Sequence, residues 1–105
     1  MEYGRKENIM APLREKDIER ELVRAVRLRG GICPKLTCPG YDGMPDRLIL
    51  LPGGRMGFVE AKAPGKKPRP LQEARLRLLK TLGFPVFVLD RPEQIGGILD
   101  AIQPP

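Results

Sequence analysis

One stretch of the chain, residues 43–62 (GMPDRLILLPGGRMGFVEAK), constrains the fold most because it encodes a β-hairpin. The apolar run at residues 48–51 predicts one strand. Pro-Gly-Gly at residues 52–54 predicts a tight turn, since glycine accepts the backbone angles that such turns need. Residues 56–61 supply the returning strand. The sequence therefore predicts two antiparallel neighbours in a sheet.

The turn also predicts which side chains face each other across the hairpin. With Gly53 as its centre, Asp46 lies seven positions before the turn and Glu60 seven positions after it. Cross-strand partners of an antiparallel pair have Cβ atoms about 5 Å apart. Because side chains alternate between the two faces of a strand, Lys62 is expected on the same face as Glu60. Two carboxylates and a lysine are thus predicted to lie side by side.

Neighbouring carboxylates repel each other unless a positive group compensates them. A lysine can do this, and so can a hard divalent cation bound through carboxylate oxygens. Asp46, followed one strand later by Glu60 and Lys62, suits metal-assisted phosphodiester hydrolysis, in which the lysine orients the attacking water or offsets charge on the phosphate. The Glu-x-Lys pattern alone is weak, because it arises by chance about once per hundred residues. A surface ion-pair cluster is the alternative interpretation.

The charge balance of the whole chain favours a polyanionic partner. Nineteen Lys and Arg residues against thirteen Asp and Glu residues give a net charge of +6 and a pI near 9.7. Nucleic acid is the first expectation, although some small basic proteins carry such a charge only for solubility. Tryptophan is absent and only five residues are aromatic, which argues against a platform on which single-stranded bases stack.

Other residue types exclude several classes of site. Histidine is absent, which excludes a histidine general base, histidine-activated nucleophiles and histidine-ligated metals. Cys33 and Cys38 lack both CxxC spacing and further ligands, so a zinc site is not expected. No signal peptide or apolar stretch of membrane-spanning length is present. We therefore expect a cytosolic protein with reduced cysteines.

Apolar periodicity predicts the elements around the hairpin. They are a helix over 13–29, a strand over 32–37 that Pro34 breaks and places at a sheet edge, a helix over 71–82, a strand over 84–89 and a closing helix over 90–102. Residues 1–12 lack a pattern and are expected to form a flexible arm. Residues 13–103 are expected to form one domain.

Both longer helices are expected to aim polar side chains at the hairpin. In the first, Glu15 and Glu19 project toward the apolar side, so each needs an arginine or the carboxylate cluster as its partner. In the second, Gln72 lies on the first turn, where it either reaches the cluster or makes a hydrogen bond at the helix N-terminus. The predicted core stripe of this helix consists of Leu71, Leu78 and Leu82.

A basic loop over residues 63–70 follows the hairpin. Its Lys66, Lys67 and Arg69 are suited to contact a phosphate backbone. Three prolines prevent regular structure in the loop. A solvated loop without a ligand is the alternative.

The order of these elements, together with Pro45-Asp46 and Glu60-Ala61-Lys62, resembles the core of PD-(D/E)xK nucleases. Within that superfamily, the chain is similar to the VRR-NUC family, whose signature combines Gly-x-Pro-Asp-Arg, a hairpin, Val-Glu-x-Lys and a downstream Gln. The likeness spans residues 15–102. It implies an α/β fold of the restriction-endonuclease type, ordered αβββαβ with a C-terminal helix, whose central mixed sheet is flanked by helices.

The resemblance also implies residue roles. Asp46, Glu60 and the carbonyl of Ala61 would hold a metal ion, Lys62 would be the catalytic lysine, and Gln72 would be the glutamine of the family. Family members often carry Leu or Met where this chain has Ala61, which should change packing and leave the carbonyl in place.

A glutamate on the first helix completes the implied site. Glu19 opens the sequence Glu-Arg-Glu-Leu-Val, which looks like the Glu-Arg-x-x-Val of archaeal-type Holliday junction resolvases. We therefore expect Glu19 in the catalytic set, with Glu15, one turn earlier, as the alternative.

The function implied is a Mg²⁺- or Mn²⁺-dependent DNA endonuclease that selects branched structures such as Holliday junctions. Small stand-alone members of the family look like viral or prophage homodimers, which implies action in the cytoplasm of a bacterial or phage-infected cell. The residues expected to contact DNA are Lys35, Arg47, Lys66, Lys67 and Arg69. The alternatives are a nicking or flap-trimming nuclease of phage replication and repair, and a DNA-binding module on a degenerate nuclease fold.

Overall fold

The computed structural model describes residues 12–105. Its elements are α1 (Glu15–Leu28), β1 (Arg47–Leu51), β2 (Arg55–Ala61), α2 (Pro70–Thr81), β3 (Val86–Leu89), a 3₁₀ turn (Pro92–Gln94) and α3 (Ile95–Ile102). The strands form one sheet in the order β1-β2-β3, antiparallel between β1 and β2 and parallel between β2 and β3. The predicted α/β class with a mixed sheet is thus confirmed. The arm predicted over residues 1–12 lies, except for Pro12, outside the described residues.

The hairpin has the register that its turn predicts. Arg47 pairs with Val59 and Leu51 pairs with Arg55, so Gly53 is the centre of symmetry. Gly53 and Gly54 have φ angles of +83° and +73°, a region that residues with a Cβ rarely adopt. The next pair beyond the last paired residues joins Asp46 to Glu60.

The sheet is covered by helices on both faces. On one face, α1 and α3 pack against alternate residues of the strands, among them Ile49 and Val59. On the other face, α2 packs against Phe58 and Val86. The main core cluster contains Ile18, Leu22, Val26, Cys33, Ile49, Leu51, Val59, Leu89, Ile95, Ile98, Leu99 and Ile102. Within residues 12–105, no helix is both long and apolar enough to cross a membrane.

The core stripe predicted for the second helix is wrong. Leu71, Leu78 and Leu82 are between 41% and 62% exposed, and Leu76 and Leu79 face the sheet in their place. The reason lies at Gln72, which is buried on the same side of the helix and bonded to the sheet. Positions four and seven residues after Gln72 lie on its face of the helix, and these are the two buried leucines.

The strand predicted over residues 32–37 does not form a continuous ladder. Only isolated bridges join Ile32 to Leu50 and Lys35 to Arg47. Pro34 accepts a hydrogen bond from Leu48 but has no N–H to return one, which interrupts the pairing. The segment nevertheless runs along the edge of β1, where a proline is tolerated.

Candidate functional site

Glu60 is the centre of the site and is 2% exposed. It lies near the end of β2, on the face that α2 covers. Its Oε2 accepts hydrogen bonds from Lys62 Nζ at 3.1 Å and from Gln72 Nε2 at 2.9 Å. Its Oε1 is buried and has no hydrogen-bond partner within residues 12–105. Lys62 and Glu60 therefore share a face, as strand alternation predicts, and one carboxylate oxygen remains available to a further ligand.

Gln72 combines the two roles that the sequence left open. Its Oε1 accepts the backbone N–H of Arg69 at 2.8 Å, which satisfies one of the free donors at the start of α2. Since Oε1 is occupied by a donor, Nε2 is the atom that points to Glu60. The helix N-terminus thus fixes the orientation of the amide that holds the Glu60 carboxylate.

Asp46 lies beside Glu60 at the same end of the hairpin. Its Oδ1 accepts the backbone N–H of Ala61 at 3.0 Å, which ties the side chain to β2. Carboxylate oxygens of Asp46, Glu15 and Glu19 lie within 4.8 Å of one another. The first turns of α1 thus bring both candidate glutamates to the hairpin.

Glu19 and Glu15 differ in their partners. Glu19 Oε1 accepts a hydrogen bond from Arg47 Nε at 2.8 Å, in an ion pair whose side chains are only about 14% exposed. Arg47 Nη1 also donates to the carbonyl of Cys33 at 2.9 Å. Glu15 has no cationic partner among the described residues and is exposed. Among the described side chains, the negative charge of Glu19 is therefore balanced by a cation, whereas that of Glu15 is not.

Arg47, which is also among the residues expected to contact DNA, lies between α1 and β1. Its guanidinium is committed to Glu19 and to the backbone of residue 33, so it fixes α1 against β1. The sequence gives one signal for this position: Arg47 follows Asp46 directly, so alternation turns it to the other face, toward α1. Its specific partner depends on a contact between residues 28 positions apart.

Burial and mutual repulsion disfavour the ionised forms of the two central acids. Burial raises the pKa of Asp46 to about 6, the charges of Glu60, Glu19 and Glu15 add to the rise, and the N–H of Ala61 opposes it. Burial also raises the pKa of Glu60, although Lys62 opposes that rise, and the charge of Glu15 contributes to it. Excess negative charge in a partly buried place is the condition that a bound cation relieves.

The other residues expected to contact DNA are solvent-accessible. Lys66, Lys67 and Arg69 are exposed on the loop between β2 and α2, directly after Lys62 and before Gln72. Lys35 is exposed on the segment beside β1. The described structure thus places three of these side chains on the Gln72 side of the carboxylates and Lys35 beside Arg47.

Comparisons with known proteins identify a relative and a solved structure that are similar to this chain. No protein-family model matches the chain. The chain is 47% identical over 93 residues to "Putative nuclease p44" of Acyrthosiphon pisum secondary endosymbiont phage 1, and the alignment covers 89% of this chain and 99% of that protein. A solved structure described as "VRR_NUC domain" superposes with a TM-score of 0.76 at 30% identity, covering 82% of this chain and 94% of that one.

Proposed function

Because the chain belongs to the VRR-NUC family of nucleases, we propose that it is a divalent-metal-dependent DNA endonuclease. One observation carries the metal dependence: Glu60 Oε1 is buried without a hydrogen-bond partner among the described residues, and the charge of Glu60 adds to the raised pKa of the neighbouring Asp46. A buried carboxylate oxygen without a hydrogen bond is costly unless a ligand absent from the protein chain completes it. Oxygen donors alone favour a hard cation such as Mg²⁺ or Mn²⁺.

The residues that would hold the cation are Asp46, Glu60 and the carbonyl of Ala61. From α1 we propose Glu15 as the fourth, because Glu19 is already paired with Arg47. Cys33 is disfavoured as a competing ligand, because it is buried and burial raises the pKa of its thiol to about 11. When bound, the cation lowers the pKa of a water molecule and offsets negative charge on the phosphate.

Lys62 and Gln72 support this chemistry from the other side of Glu60. Lys62 Nζ, held at 3.1 Å from Glu60 Oε2, brings a positive charge to the place where the phosphate gains negative charge. Gln72 holds the same oxygen, so that Oε1 is the one turned to the site. Water attacks phosphorus in line, a 3′-oxygen leaves, and the product carries a 5′-phosphate.

A substrate panel tests the proposal. Labelled linear, nicked, flap and four-way DNA are incubated with the protein in Mg²⁺, in Mn²⁺ and in EDTA. We expect cleavage only with a divalent ion and fastest on four-way DNA. Asp46→Asn should cleave far more slowly, and Glu73→Gln, which alters an exposed carboxylate on α2, should cleave normally. Absence of cleavage on every substrate would favour the DNA-binding module, and preference for flaps or nicks would favour the replication role.

We propose branched DNA as the substrate and a homodimer as the active form. One site cuts one strand, and resolving a four-way junction takes two symmetric cuts, which a two-fold pair of subunits supplies. The exposed leucine stripe of Leu71, Leu78 and Leu82 supports this, because an apolar face of that kind is suited to a second copy. The closing helix is not available for this contact through its apolar residues, since Ile95, Ile98, Leu99 and Ile102 are buried.

The dimer proposal can be tested by changing one leucine. Leu78→Arg should convert a dimer into a monomer, because it places a charge in the leucine stripe, and light scattering after gel filtration measures the mass. Leu28→Arg is the matched control, since Leu28 is 79% exposed on α1, outside the stripe. A monomeric wild-type protein, or a Leu78→Arg protein that remains dimeric, would contradict the assignment.

A further inference from the structure

A groove of about 350 Å³ lies between α1 and the edge of the sheet, next to the carboxylate cluster of Glu15, Glu19 and Asp46. We name it the α1 groove. Its lining residues are Lys16, Glu19, Arg20, Val23, Lys35 and Arg47. Glu19 is shared with the carboxylate cluster, so the groove and the proposed active site are contiguous.

The net charge of the α1 groove is positive. Its one acid, Glu19, is paired with Arg47. Among the residues that the structure describes, Lys16 and Lys35 have no ionic partner, and both are exposed. Arg20 approaches Asp17 at 3.7 Å with its side chain 71% exposed, a weak surface pair. Three cationic side chains thus line the groove around the Glu19–Arg47 pair, whose own charges cancel.

On the premise of the proposed nuclease function, we propose that the α1 groove binds a DNA backbone phosphate displaced along the strand from the one that is cleaved. The carboxylates themselves repel DNA, so a strand that crosses them needs positive groups close by. Lys66, Lys67 and Arg69 supply these beside Gln72, and the α1 groove supplies them beside Glu19. The carboxylates therefore lie between two basic groups that hold one strand across the site.

The shape of the α1 groove and its ammonium groups indicate the class of ligand that it binds. The groove is open to solvent and not an enclosed cavity, which suits a continuous backbone better than a small molecule. Ammonium groups act on phosphate as point charges, and contacts of this type position a strand without reading its sequence. The α1 groove would therefore contribute to affinity and register on DNA and leave sequence preference unchanged.

The test removes the two lysines together. Lys16→Ala/Lys35→Ala is compared with wild type for binding to a fluorescein-labelled duplex in EDTA, by anisotropy at several salt concentrations. We expect affinity to fall about tenfold and the slope of log Kd against log salt to decrease by about 1–2, since each phosphate contact contributes about 0.9. Arg55→Ala/Lys80→Ala is the matched control: it removes two exposed charges distant from the site and should lower affinity far less.

Neutral methylphosphonates, placed one at a time along the duplex, then locate the contact. Wild type should lose affinity when the methylphosphonate occupies one or two particular positions. The double-lysine variant should be insensitive at those positions, because it already lacks the lysines that contact that phosphate. Equal sensitivity at every position, or equal weakening by both double variants, would overturn the proposal. A protein that binds in this way but fails to cleave with Mg²⁺ would contradict the nuclease function and leave the α1 groove assignment standing.

Discussion

The two ends of the hairpin have the same strands and the same register but opposite physical character. At the turn end, Ile49 and Leu51 are buried against the helices, and the exposed residues include Gly53 and Arg55. At the open end, Asp46 and Glu60 face each other with raised pKa values, and one Glu60 oxygen has no hydrogen-bond partner in the described part of the chain. One end has the composition of a stable core, whereas the other concentrates groups that are unfavourable to bury.

This difference indicates that the turn end fixes the register of the hairpin, whereas the open end carries the groups proposed for catalysis. A slip of one residue in register would move the acidic pair to different faces. The apolar turn end prevents that slip, because such a shift would also expose Ile49 and Leu51, which are buried. Sites that must hold like charges together are a net cost to the fold, so their stability has to come from elsewhere in the structure.

The largest expected effect is the loss of cleavage in Lys62→Ala at the open end. We expect a decrease of at least about 10²–10³-fold in rate, because a charge aimed at the phosphate is removed. Calorimetry should show that Mn²⁺ still binds. Arg55→Ala at the turn end should cleave as wild type does. If the lysine variant loses the metal instead, Lys62 organises the carboxylates and has no catalytic role.

The second prediction concerns the turn end. Ile49→Ala should lower the free energy of unfolding by about 2–5 kcal/mol, since a fully buried side chain is truncated and leaves a cavity. Urea titration measures this change. The folded fraction should still cleave DNA at a near-normal rate. A folded Ile49→Ala protein without activity would show that the two ends are not separable.

Several features of the site follow from the sequence because they depend on local geometry. The pairing of Asp46 with Glu60 follows from the turn at Gly53, and the approach of Lys62 follows from strand alternation. The approach of Gln72 to Glu60 follows from the position of Gln72 in the first turn of α2. Its two simultaneous hydrogen bonds do not follow from the sequence.

Other features depend on contacts between distant parts of the chain. The helix predicted over residues 71–82 contains five leucines, and a helical wheel alone does not decide which of them face inward. The hydrogen bond from Gln72 Nε2 to Glu60 Oε2 determines which face of the helix packs against the sheet. In the same way, both glutamates of α1 approach Asp46, and the ion pair between Glu19 and Arg47 distinguishes them. These side-chain orientations depend on partners elsewhere in the fold, and the residue spacing within one helix does not identify those partners.

The third prediction compares two glutamines, one at each end of the hairpin. Gln72 donates to buried Glu60, and Gln103 donates from Nε2 to the carbonyl of Pro52 at 2.9 Å beside the turn. Gln72→Ala should reduce cleavage about 10–100-fold, because the residue orients a ligand-bearing carboxylate. Gln103→Ala should lower stability by about 0.5–1 kcal/mol and leave cleavage unchanged. Comparable kinetic losses in both variants would remove the distinction between the two ends.

The smallest expected effect has the opposite sign and tests the cost of the open end directly. Asp46→Asn keeps an acceptor for the Ala61 N–H and removes the charge, so in EDTA at pH 7.5 it should stabilise the fold by about 1–2 kcal/mol. The folded pKa of Asp46 is about 6 against an ordinary value of 3.8. At pH 7.5 the carboxyl group is therefore ionised in both the folded and the unfolded state, and the folded state bears the full cost of burying the charge. As the pH falls from 7 toward 4, the folded state takes up the proton first and wild type gains stability relative to the variant. The stability difference between the two proteins should therefore be clearly smaller at pH 4.5 than at pH 7.5, and it should approach zero only below the ordinary pKa of 3.8. If urea titrations at the two pH values give a constant difference, or a less stable variant at pH 7.5, the charge of Asp46 is not a net cost and the contrast between the two ends does not hold.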